Sequence, residues 1–81
     1  MSANISILTR ALSEGIQLFT KPEIFTVLES TTKLELPVEA RENFWIMYGQ
    51  EHKTSGELGK LIATYAVYAN GYIQAKRELH E

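Results

Sequence analysis

Apolar positions recur along this chain at helical spacing. From Thr54 to Glu81 they fall at Leu58, Leu61, Ile62, Tyr65, Tyr68, Ala69, Tyr72, Ile73 and Leu79. A return every three or four residues is the signature of an amphipathic helix. The pattern predicts a long final helix over about 55 to 79, carrying three of the four tyrosines. Asn70-Gly71 could end it in a left-handed cap. The stripe nevertheless keeps its phase through Tyr65, Tyr68, Tyr72, Ala75 and Leu79, which favours a continuous helix.

At the other end, Ile5, Leu8, Leu12, Ile16 and Phe19 share one helical face and predict a helix over 4 to 19 with Asn4 as its cap. Gly15 would sit in its interior, where it costs about 1 kcal/mol relative to alanine and marks either a close helix contact or a tolerated surface position. Thr20-Lys21-Pro22-Glu23 reads as a capping box, and Phe19 and Ile24 flank it as a hydrophobic staple. A short buried helix over 21 to 29 should follow. Residues 30 to 36 read as a loop with Leu34 and Leu36 tucked inward. Pro37 suits the first position of a third helix, 37 to 52. Its run Phe44-Trp45-Ile46-Met47-Tyr48 covers more than half of a helix circumference. Either this helix is central or one flank meets another molecule. Thr54 with Glu57 looks like a second capping box that starts the final helix. The expected fold is an all-α, single-domain four-helix bundle with the last helix as its spine.

Composition narrows what such a bundle could do. The chain has 81 residues, and a domain of this size buries only roughly 60 to 65% of its unfolded surface, so docking on a partner or on itself would stabilise it. Its formal charge of −2 offers no long-range attraction to phosphate backbones or anionic lipid, so neither nucleic acid nor membrane insertion is expected. Cysteine is absent, which excludes disulfides, thiolate catalysis and Cys-ligated metals. No signal peptide or membrane-spanning run is evident, and a cytoplasmic location is the expectation.

Candidate chemistry is thin. All ten acidic residues are glutamate, which helix propensity explains and which removes Asp-based acid–base schemes. His52 and His80 belong to no metal-ligand pair, and no activated serine motif occurs. Gly49, Gly56 and Gly59 with Lys53 and Lys60 lack the spacing of a phosphate loop. Glu57-Leu58-Gly59 has the pattern of a helix-turn-helix first helix, yet the residues after it, Tyr65 to Ala69, could not read base edges. No catalytic residue, cofactor or metal is expected.

What remains is a binding surface. The sequence predicts a non-enzymatic regulatory protein that holds another protein with Trp45, Tyr48, Tyr68 and Tyr72 as anchors and Arg41, Lys60, Lys76 and Arg77 as a polar rim. Gly59, Ala63 and Ala66 would let a neighbouring helix approach closely. In size and composition the chain is comparable to phage-encoded accessory factors such as inhibitors of host enzymes or modulators of lysis. The alternatives are a homo-oligomer, such as a homodimer, paired through the final helix, and a helix-turn-helix regulator. Tyr65 is assigned to the core, with the boundary between spine and contact surface placed between Tyr65 and Tyr68.

Overall fold

The computed structural model describes residues 3–79, with side chains from residue 7 onward. Helix α1 already includes Ala3, so Asn4 lies within it and is not its cap, while the side chain of Ile5 and the whole of His80 lie outside what is described. Four helices form the bundle: α1 (Ala3–Glu14), α2 (Lys21–Thr32), α3 (residues 38–55) and α4 (Leu58–Leu79). Helix α3 is built from an α-helical segment Val38–Phe44, a π-helical turn Trp45–Gly49 and a closing α-helical segment Gln50–Ser55. No strand occurs among the described residues. The all-α bundle with a long C-terminal helix is therefore as the sequence predicts.

The first helix stops five residues earlier than its periodicity suggests. Gly15 has φ 89° and ψ 146°, a conformation that L side chains avoid and glycine tolerates, so the helix breaks there. A single 3₁₀ turn, Ile16–Leu18, then carries Ile16 and Phe19 into the core. Because the chain turns, Ala11 occupies the inward face and Leu12, expected to be buried, is 72% exposed.

The capping box at Thr20 forms as predicted. The Thr20 amide donates to Glu23 Oε1 at 2.9 Å, and the Glu23 amide donates to Thr20 Oγ1 at 3.4 Å. Phe19 and Ile24 on either side are both buried. Arg10 ties α1 to this corner, donating to Glu23 Oε2 at 2.8 Å while its guanidinium lies 4.2 Å from the Phe19 ring centroid. Helix α2 continues to Thr32, beyond the expected end at 29, because its last turn gains a cap: Lys33 adopts a left-handed conformation (φ 62°) and its amide donates to the Glu29 carbonyl at 2.9 Å. Leu36 then plugs the core and Leu34 is half-buried.

Two boundaries near α3 differ from expectation. Pro37 caps the helix rather than starting it. At the far end the helix runs to Ser55, so Thr54 lies within it and its hydroxyl donates to the Gln50 carbonyl at 2.8 Å. Thr54 and Glu57 therefore form no capping box. Gly56, at φ 76°, closes α3 instead, and α4 begins at Leu58. From there α4 passes through Asn70-Gly71 without interruption. Its inward stripe of Leu61, Tyr65 and Ala69 is fully buried, which makes it the spine of the bundle.

Candidate interaction surface

The surplus of bulky residues at 44 to 48 is shared between two flanks of α3. Phe44 and Tyr48 face α4, while Trp45, at the start of the π-helical turn, faces α2. Phe44 is fully buried, with ring centroids at 5.3 Å from Tyr65, 5.5 Å from Tyr68 and 5.6 Å from Tyr48. Ile46 and Met47 point outward, 71% and 63% exposed.

Tyr48 and Tyr68 meet at 6.2 Å and are half-buried. They form one wall of a groove of about 430 Å³ between α3 and α4, completed by Ala63, Thr64 and Val67. The Val67 side chain is 75% exposed. His52 Nε2 lies 3.4 Å from Thr64 Oγ1, so the histidine is engaged by a hydroxyl beside the groove.

The residues assigned from the sequence do not share one surface. Tyr48 and Tyr68 are brought together. Tyr72 follows one turn along α4, half-buried, with Lys76 Nζ 5.5 Å from its ring centroid. Lys60 precedes Ala63 by one turn and pairs with Glu57 at 3.5 Å, and Arg77 is exposed near the end of α4. Trp45 lies elsewhere, 6.2 Å from Phe25 with Lys21 Nζ 5.9 Å from its ring, and lines a separate cleft. Arg41 serves the interior, pairing with Glu29 at 3.4 Å and donating from Nε to the Leu36 carbonyl at 3.3 Å. These two residues stand apart from the tyrosine groove because they lie on the flank of α3 that meets α2 and its following loop. Of the α4 tyrosines, Tyr65 is fully buried and Tyr68 and Tyr72 are half-buried, while Ala69 between them is buried again.

Sequence reasoning missed Val67 and Thr64 as groove residues. Val67 carried the signal: it is an apolar residue out of phase with the stripe of Leu58, Leu61 and Tyr65. Gly59 and Ala63 are exposed and Ala66 is half-buried. A Cβ on Gly59 would meet nothing within 4 Å, so no helix of this chain packs closely there.

Among the described residues three ionisable groups are displaced from their ordinary behaviour. Glu23 is lowered to about 2, first by the Thr20 amide and then by Arg10. Burial raises Glu29, with Arg41 opposing and Glu35 reinforcing the shift. Tyr65 is pushed up to about 12 by burial, then by the Glu29 carboxylate. Among the described residues there is no group of three or more His, Cys, Asp or Glu placed to hold a metal ion, and no helix is long and apolar enough to cross a membrane. Glu57-Leu58-Gly59 sits at the start of an unbroken helix, with no turn after it before Leu79.

Compared with known proteins, the chain matches no family model, no curated protein and no solved structure.

Proposed function

We propose that this chain is a non-enzymatic accessory protein that binds another protein through the α3–α4 groove. The observation that carries this reading is the Tyr48–Tyr68 pair lining a groove with exposed Val67, while Ile46 and Met47, which precede Tyr48 on α3, are also left in water. Apolar side chains left in water at the edge of an aromatic groove form the kind of patch that a partner covers. Tyr72 and Lys76 extend the patch along α4, and Lys60 and Arg77 supply exposed charge for its rim. Trp45 and Arg41, also expected there, are left out of it. The size and composition suit an accessory factor of the sort phages encode to inhibit host enzymes or modulate lysis.

Affinity capture from cells that naturally make the protein tests this reading, using Val67→Glu as the comparison. Because Val67 is largely exposed, its substitution should leave the melting temperature nearly unchanged while removing the captured species. Equal capture by both forms contradicts the reading. A second copy of the chain is the alternative occupant, favoured by the open outer face of α4 at Gly59, Ala63 and Gly71. The mass of the captured species separates the two.

A further inference from the structure

On the other side of α3 lies a cleft that protein binding at the α3–α4 groove does not use. It encloses about 510 Å³ and is lined by Gln17 from the 3₁₀ turn, Trp45 from the π-helical turn, and Gln50, Lys53 and Thr54 from the end of α3. That volume falls in the range of about 300 to 1,000 Å³ typical of small-molecule sites, and the cleft is open, with Gln17, Gln50 and Thr54 exposed and Trp45 and Lys53 half-buried. The polar groups here have capacity to bind. Among the described residues neither the Gln17 nor the Gln50 carboxamide has a hydrogen-bond partner, and Lys53 has no ion pair. No carboxylate lines the cleft.

Two of its walls lie close to glycines. The Trp45 ring lies against Gly49, where a Cβ would fall 2.8 Å from Cζ3 and 2.9 Å from Cδ2. Gln17 lies near two of the three inter-helix junctions, since a Cβ on Gly56 would fall 2.6 Å from its Nε2 and one on Gly15 would fall 3.0 Å from its Oε1. The π-helical turn that presents Trp45 is a feature found frequently at functional sites. A half-buried indole, an ammonium with no ion pair among the described residues and two exposed carboxamides thus line one cleft from two segments that are far apart in sequence.

We infer that this cleft binds a small planar anion, a ring bearing a carboxylate or a phosphate. The ring lies along the open part of the Trp45 indole, Lys53 pairs with the anionic group, and the two carboxamides bond to polar edges of the ligand. This assignment is independent of the α3–α4 groove and gives Trp45 a role separate from protein capture.

The chain has one tryptophan, so the indole N–H contributes one resonance to a ¹⁵N correlation spectrum. The test titrates the full chain with adenosine 5′-monophosphate and with benzoate, using adenosine and inorganic phosphate as controls. The expected result is a saturable shift of the Trp45 resonance with at least one ring-bearing anion, at a dissociation constant below about 1 mM. The two anions distinguish phosphate from carboxylate ligands. Binding should weaken roughly fivefold or more in Lys53→Gln and in Gln50→Glu, a factor of the size expected when one charge-assisted contact is lost or opposed by a like charge. Three results would overturn the assignment: no saturable shift with either anion at about 10 mM, the same shift with inorganic phosphate alone, or unchanged affinity in both variants.

Discussion

The Tyr65 hydroxyl donates to the backbone carbonyl of Leu34 at 2.8 Å, joining residues 31 positions apart. This bond fixes the α2–α3 loop to the spine of the bundle at a fully buried ring, which Phe25 and Phe44 meet edge-on at 6.2 Å and 5.3 Å. Tyr65→Phe keeps the ring and removes the bond. It should cost about 1 to 2 kcal/mol, seen as a lower urea midpoint with an unchanged slope. An unchanged midpoint would show that the hydroxyl does not hold the loop.

The same tyrosine contributes to stability at alkaline pH. Its pKa is raised from 10.0 to about 12, first by burial and then by the Glu29 carboxylate, so the folded state favours the protonated phenol. The stabilisation is fully present below the unfolded value near 10 and is lost as pH rises toward 12. Denaturation followed across this interval should show stability falling more steeply in the native chain than in Tyr65→Phe.

Glu23 acts in the opposite direction at the acid end. Its pKa is lowered from 4.5 to about 2 by the Thr20 amide and Arg10, so its contribution is present above 4.5 and is lost as pH falls toward 2. Glu23→Gln should flatten the acid limb of the stability profile. Thr20→Ala, which removes the hydroxyl half of the same cap, should cost about 1 kcal/mol at neutral pH. Paired melts at pH 7 and pH 3 check both.

Two helical glycines should respond with opposite sign to the same substitution. Gly71 is exposed on α4, and a Cβ added there would meet nothing within 4 Å, so Gly71→Ala should stabilise by about 0.5 to 1 kcal/mol through helix propensity. At Gly49 the new methyl would press into the Trp45 ring, and the displaced indole should outweigh that gain, with a net loss of about 1 to 2 kcal/mol. The single tryptophan reports the difference directly: its fluorescence should change in Gly49→Ala and not in Gly71→Ala.

The parts of the fold that the sequence discloses are those set by local chemistry. The Thr20–Glu23 box and the inward positions of Leu61 and Tyr65 need only neighbouring residues and helical spacing to be recognised. Gly15 is ambiguous because a mid-helix glycine and a helix-ending one look alike in sequence; the chain turns there to bring Ile16 and Phe19 under the core. Thr54 and Glu57 match a capping motif, but competition from the Gly56 left-handed cap moves the boundary. The aromatic surface is legible in its members and not in its grouping. The sequence pattern does not show which neighbour each flank of α3 meets, and Trp45 and Tyr48 line separate clefts.

Protein binding at the α3–α4 groove is tested most directly by a photo-crosslinking amino acid placed at position 67 in the living cell, with position 14 on exposed α1 as the comparison. The groove account predicts a discrete crosslinked polypeptide from position 67 and none from position 14. No adduct at 67, or the same adducts from both positions, would contradict it.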